Sequence, residues 1–218
     1  MNGSTASGTD WDAVGEALPL LLEGFRVTLL ATVLGTLVAA VLGLAVAIAG
    51  RAPSRFVTVP VRVLTEFVRS TPLLVQLVGA AALFSSVEPL TTGIVVLGIH
   101  YAAYTSEVYR AGIDSVPKGQ WEACRALSLT PRRTWQAVIL PQAVRNVLPA
   151  LGNYAISMFK ETPFLAVITV QEMVFEARKY GADHFAYTTA FTLAGLIFLI
   201  ASCPTSLLMR KLEKRLGH

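Results

Sequence analysis

Between Val27 and Gly50 the chain runs for 24 residues without a charged side chain. About 20 consecutive apolar residues in a helix cross the hydrocarbon of a bilayer. A segment can do so only if its backbone N–H and C=O groups bond to each other. The run therefore reads as a spanning helix. Its small residues Ala31, Gly35, Ala39, Gly43 and Ala47 recur every four positions. They make one flat face that allows close helix approach in lipid. A second span lies within Pro60–Val87, charge-free over Ser70–Val87. A third covers Pro89–Val108 and includes His100. A fourth, Asn146–Gln171, is interrupted by Lys160-Glu161, and a fifth, Phe185–Met209, has no charge. The expected fold class is an all-α integral membrane protein with five transmembrane helices in one domain over residues 1–218. Charged residues make up 15% of the chain, against roughly 25% in soluble domains.

Five spans put the termini on opposite sides, and Lys and Arg choose the sides. The 51–62 connection carries Arg51, Arg55 and Arg62, and the 110–145 stretch carries Arg110, Lys118, Arg125, Arg132, Arg133 and Arg145. The tail adds Arg210, Lys211, Lys214 and Arg215, whereas the other side has only Arg178 and Lys179 in its connections. The N-terminus is expected outside and the C-terminus in the cytoplasm of a multi-pass cell-membrane protein. No Lys or Arg precedes Arg26, so a cleaved signal is not expected. Residues 1–23 are expected to be external, with Trp11, Val14, Leu18 and Leu22 at helical spacing on the membrane surface. The net charge of +4 is explained by these loops, and no nucleic-acid partner is expected. Cys124 and Cys203 make no CxxC, so neither a metal site nor a disulfide framework is expected.

The longest cytoplasmic loop reads SVPKGQWEACRALSLTPRRTWQAVILPQAVRN. Trp121, Cys124 and Leu127 fall on one helical face. Pro131 is placed to start a second short helix with Thr130 as its N-cap, followed by an apolar face of Trp135, Val138 and Ile139. Two short helices at an angle, turning at Ser128–Pro131, make a rigid knob for a cleft in a partner.

At these residues the chain resembles the ABC-importer permeases. Their EAA loop has Glu-Ala-Ala, Gly, an aliphatic residue and Leu-Pro. Here those positions are Glu122-Ala123-Cys124, Ser128, Val138 and Leu140-Pro141, with Lys118-Gly119-Gln120 ahead of them. Cys124 replaces an Ala, and Ser128 replaces the Gly of the bend; Ser can bend a chain through its hydroxyl. Glu66-Phe67-Val68-Arg69-Ser70-Thr71-Pro72-Leu73-Leu74-Val75-Gln76 is similar to the second-helix motif of the polar amino-acid permeases. Tyr104, Glu107, Arg110 and Ile113 match the third-helix motif, and Lys160-Glu161-Thr162-Pro163 resembles Lys-Asp/Glu-Thr-Ser. Within the subfamily the wording is closest in look to ectoine/hydroxyectoine permease subunits. The resemblance implies a second permease subunit (the same or a related chain), a cytoplasmic ABC ATPase dimer and an external substrate-binding protein. It implies coupling to the ATPase through Gly119, Glu122, Ala123, Arg125, Ser128, Arg133 and Pro141, Glu122 being the leading contact. The chain has no GxxxxGK[ST] phosphate loop, so ATP and Mg are expected on the partner and no cofactor on this chain. No catalytic residue is expected, and the subunit is not an enzyme.

Charges within a membrane are costly and point to function. Lys160-Glu161 lies mid-span. Pro163 cannot donate to the carbonyl one turn earlier, near Phe159, and can break the helix; broken helices at mid-depth are how transporters build small-molecule sites. Glu161, Thr162, Gln76, Thr71, Tyr104 and Glu107 are the expected substrate-binding residues, with an interhelical hydrogen bond the equal alternative for Gln76. Lys160 is either a substrate contact or half of an interhelical ion pair. Glu107 could instead pair with Arg110, as Glu66 could with Arg69. His100 is expected to pack through a hydrogen bond, and Glu172 to cap the outer end of the fourth span facing the binding protein, a solvated rim charge being the alternative. The expected function is uptake of polar amino acids or amino-acid-like compatible solutes, with ectoine/hydroxyectoine the finer reading. An ion-driven secondary transporter using Glu161 and Lys160 is the alternative, which the absence of inverted repeats disfavours.

Overall fold

The computed structural model describes residues 11–216. Among them the elements are all helical. Helix α1 is Trp11–Ala49, α2 Arg55–Ser70, α3 Leu73–Leu83, α4 Pro89–Asp114, α5 Lys118–Ala126 and α6 Pro131–Arg133. A π-helical segment, Thr134–Ile139, leads into α7, Leu140–Glu161. A 3₁₀ segment over Thr162–Ile168 follows, then α8, Met173–His184, and α9, Tyr187–Leu216. The five expected spans fall on α1, on α2 and α3 together, on α4, on α7 with its 3₁₀ extension, and on α9. Of these, α1 and Tyr187–Lys211 of α9 are each long and apolar enough to span a membrane.

The small-residue stripe of α1 does what its spacing predicts. Ala31, Gly35, Ala39, Gly43 and Ala47 are all buried, and α4 is the helix they pack against most extensively. A Cβ on Gly43 would collide with Thr105 Oγ1, which donates to Ala39 O at 3.0 Å. Lipid tails give no hydrophobic drive to such a contact, so close packing and this interhelical hydrogen bond hold it. The stripe continues toward the N-terminus through Ala13, Ala17, Leu21, Gly24 and Thr28. Residues 11–23, expected outside with part of them along the membrane surface, are the first part of α1. Ala13, Ala17 and Leu21 pack with Met173, Ala177 and Tyr180 of α8 and Ala190 and Ala194 of α9. Trp11, Leu18 and Leu22 point away and are exposed. Residues 1–10 lie outside the described residues.

Glu172 is not a rim charge. It is fully buried and caps α8: its Oε1 accepts from Phe175 N at 2.7 Å. Its Oε2 accepts from Thr28 Oγ1 at 3.5 Å. Gly24 makes room, since a Cβ there would lie 2.9 Å from the Glu172 backbone.

The loop splits into two helices at the expected place, by a different device. α5 ends in a left-handed residue, Ser128, with φ 48°. Ser128 N bonds to Arg125 O at 2.9 Å and Leu129 N to Cys124 O at 3.0 Å. This pair of bonds is the Schellman closure that glycine usually serves. The bend is thus made by the backbone, and not by the serine hydroxyl. A non-glycine residue in this region costs roughly 1 kcal/mol. Ser128→Gly is expected to raise the resistance of the loop to limited proteolysis, and Ser128→Val to lower it. Equal digestion rates in both variants would show that the strain is not felt.

The second helix is not short. From Pro131 the chain stays helical through the π segment and α7 to Glu161. Pro141 has no N–H to continue an α ladder, and Leu140 N instead reaches back to Trp135 O. Gln142 Nε2 donates to Val138 O at 2.8 Å, which takes up a carbonyl beside the proline. Thr130 caps the start, accepting from Arg133 N at 3.4 Å.

Candidate functional site

Two polar regions stand out, one inside the bundle and one at its end. The interior region forms where two helices break. The α2–α3 break falls at Thr71-Pro72, between the two helices. Gln76 closes it: Nε2 donates to Val68 O at 2.7 Å and Thr71 O at 3.0 Å. The remaining amide oxygen, Oε1, lies 3.1 Å from His100 Nδ1. Because an amide oxygen can only accept, His100 holds its proton on Nδ1 and donates to Gln76 Oε1. Thr71 Oγ1 donates to Phe67 O at 2.7 Å. Gln76 and Thr71 thus spend their side-chain donors on backbone.

The second break ends α7. The carbonyl left free by Pro163 is indeed that of Phe159, and Thr162 Oγ1 donates to it at 2.8 Å. Thr162 is fully buried, so its hydroxyl repairs the helix end. Glu161 is left partly exposed, with Oε2 accepting from Tyr101 OH at 2.8 Å. Tyr101 is one member of an aromatic wall. Its ring centroid lies 6.1 Å from Tyr154, 6.3 Å from Tyr104 and 5.6 Å from His100. The Arg69 guanidinium stands 5.6 Å from the centroid of Tyr104. A carboxylate and a guanidinium thus flank one aromatic wall, at cation–π distance for the latter. No sequence spacing announced Tyr101, Tyr154 or Arg69 in this arrangement.

The structure does not bring every expected residue here. Lys160 is exposed and lines a separate hollow with Pro163, Gly195, Phe198, Leu199 and Ser202. Adjacent helical residues point about 100° apart, and α9 lies on the lysine side. No ion pair of Lys160 is present among the described residues. Glu107 pairs with Arg110 at 3.2 Å. It lies about 9 Å below Tyr101 along α4, in a cleft with Arg62 and Glu66.

The end region is the loop. Trp121 and Trp135 meet edge to face at 5.4 Å over a small core of Val116, Ile139 and Ala143. Cys124 is buried, whereas Leu127, expected on the same face, is exposed as the C-cap of α5. Gly119, Glu122, Ala123, Arg125, Ser128, Arg133 and Pro141 are all exposed. Glu122, Arg125 and Arg133 make no ion pair among the described residues. The knob thus turns its aromatic side to the bundle and its charged side outward.

Known proteins share this architecture. The family described as "Binding-protein-dependent transport system inner membrane component" matches residues 39–218. A probable amino-acid ABC transporter permease protein y4tG of Sinorhizobium fredii is 43% identical over 203 residues, covering 91% of this chain and 88% of that protein. The glutamine transport system permease protein GlnP of Escherichia coli is 33% identical over 213 residues, covering 95% and 97%. A solved structure of an amino acid ABC transporter with histidines superposes with a TM-score of 0.89 at 30% identity, covering 96% of this chain and all of that one. The MetNI methionine ABC transporter, at 19% identity and a TM-score of 0.77, shares the fold. Members of this family are transport components and not enzymes. The chain belongs to the family of inner-membrane components of binding-protein-dependent transport systems.

Proposed function

We propose that this chain is the permease subunit of an ABC importer that carries polar amino acids or amino-acid-like compatible solutes, with ectoine and hydroxyectoine as the finer reading. The observation that carries the proposal is that Glu161, held by Tyr101 at 2.8 Å, and Arg69, over the Tyr104 ring, stand on neighbouring tyrosines of one aromatic wall. A zwitterion presents an ammonium and a carboxylate a few ångströms apart. Glu161 receives the ammonium, Arg69, which shares its guanidinium with Glu66 at 3.4 Å, receives the carboxylate by charge-assisted bonds, and the tyrosines cover the aliphatic part. The names of the relatives, amino-acid, glutamine and cystine permeases among them, support the same class.

The route of coupling follows from the knob. With the N-terminus outside and the C-terminus in the cytoplasm, α5 and α6 face a cytoplasmic ATPase dimer that binds ATP and Mg. Closure of that dimer moves the knob, and the stiff run from Pro131 to Glu161 carries the motion to the interior site. A second permease subunit, the same chain or a relative, completes the pathway, and an external binding protein delivers the solute. The test is uptake by proteoliposomes holding permease, ATPase and binding protein. Labelled ectoine, L-glutamine, L-arginine and L-glutamate are compared, with and without ATP. At least one solute is expected to accumulate only with ATP. Accumulation driven by an ion gradient alone would overturn the proposal, and amino acids accumulating while ectoine does not would remove the finer reading.

A further inference from the structure

Helix α2 is amphipathic in the inverse sense of a soluble helix. Among the described residues none of its side chains is buried. Phe56, Val63 and Phe67 turn outward, at 93%, 61% and 67% exposure. Its polar stripe, Thr58, Arg62, Thr65 and Glu66, turns inward and forms one wall of a cleft with α1 and α4. In a membrane this polarity is the stable one, because an inward polar stripe lines a hydrated space while the apolar face meets lipid.

The opposite wall of the cleft carries Glu107 and Arg110 from α4. The four ionic groups are therefore two of each sign, Arg62 and Arg110 against Glu66 and Glu107. A phosphate or a simple cation would meet as much repulsion as attraction there. A small zwitterion meets both signs at once. Arg110 is engaged with Glu107 at 3.2 Å and Glu66 with Arg69 at 3.4 Å. Arg62 has no ion pair among the described residues and is the guanidinium free to take a carboxylate.

The cleft is also in line with the interior site. From Glu161 the polar lane passes Tyr101 and Tyr104 to Arg69, and Arg69 holds Glu66 at the edge of the cleft. Arg110 lies about 14 Å beyond Tyr101 along α4. We infer that the cleft between α1, α2 and α4 is a second, weaker binding site for a small zwitterion, placed between the interior site and the cytoplasm. A solute leaving Glu161 passes its carboxylate to Arg62, while Glu66 and Glu107, each shared with an arginine, face its ammonium before release. Solute accumulated inside fills the same cleft and opposes further exit. This inference rests on the zwitterion reading of the interior site.

The experiment measures equilibrium binding to the permease–ATPase complex in nanodiscs. Labelled ectoine, L-glutamine, L-arginine and L-glutamate are each tested over a wide concentration range. For at least one of them two components are expected. Arg62→Gln should raise the Kd of the weaker component at least tenfold and leave the stronger one in place, which also shows that the variant is folded. Arg62→Glu should abolish the weaker component. Glu161→Gln should remove the stronger one. Absence of any Arg62-dependent component with all four solutes overturns the cleft site. Absence of any Glu161-dependent component overturns the interior reading instead, so the two failures are told apart. Discs of phosphatidylglycerol alone and discs with phosphatidylethanolamine should give the same weak component. Its disappearance with phosphatidylethanolamine would assign the cleft to a lipid headgroup and overturn the inference.

Discussion

Glu161→Gln is expected to lower uptake, as kcat/KM, by about tenfold to 150-fold, without loss of the assembled complex. Glutamine keeps an oxygen to accept from Tyr101, the bond present at 2.8 Å, so the protein loses little by the change. The solute loses a carboxylate. A hydrogen bond to a charged partner is worth about 1.5–3 kcal/mol, and each 1.4 kcal/mol is about tenfold. Tyr101→Phe makes the complementary test. It leaves the carboxylate charged and removes only the group that orients it, so a smaller loss is expected. Solute-stimulated ATP hydrolysis should fall in step with uptake, while hydrolysis without solute stays near the parent level. Uptake by Glu161→Gln within threefold of the parent would reduce the carboxylate to a structural partner of Tyr101. Lys160→Gln is the control from the neighbouring position: its side chain lies on the α9 side, and it should change uptake far less.

How much of this was readable beforehand differs between elements for physical reasons. The packing face of α1 was legible because close approach in lipid leaves a periodic trace of small residues, and that trace is buried from Ala31 to Ala47. The turn at Ser128 and the cap at Thr130 were legible because local backbone chemistry decides them. The extension of the second helix into α7 was not, because Pro141 reads as a stop and the π segment that accommodates it has no composition signature. Gln76, Thr71 and Thr162 were picked as polar groups at depth, and polar they are. What the one-dimensional string hides is that helix breaks leave carbonyls, and these residues are the nearest donors. The same limit applies to Glu172, whose partner Thr28 is 144 residues away in sequence. Residues joined only by tertiary packing, such as Tyr101 with Glu161 and Tyr154, leave no periodic signal at all.

Glu122→Arg is expected to abolish uptake while leaving the permease folded. The side chain is exposed on α5, with no ion pair among the described residues. Surface changes of this kind move stability by about 0.5 kcal/mol or less, so the melting profile of the isolated subunit should hardly change. The charge proposed to meet the ATPase, however, is reversed. Arg125 lies three residues on, on the same stretch of surface, and the new arginine adds to it and to Arg133 a third positive charge with no acid between them. Losing one member of a buried interfacial charge pair costs about 2–5 kcal/mol. At the upper end this is more than a thousandfold in affinity, enough to empty the complex at working concentrations. The measurement is co-purification of the ATPase with a tagged permease, followed by solute-stimulated hydrolysis in proteoliposomes. Glu122→Gln should give an intermediate result, because it removes the attraction without adding repulsion. The aromatic side of the knob supplies the contrast: Trp135→Ala would loosen the seat of the knob on Trp121 and should let the ATPase bind while weakening the transmission of its motion. If Glu122→Arg kept both the ATPase and its stimulation by solute, the charged side of α5 would not be the surface through which ATP drives this chain.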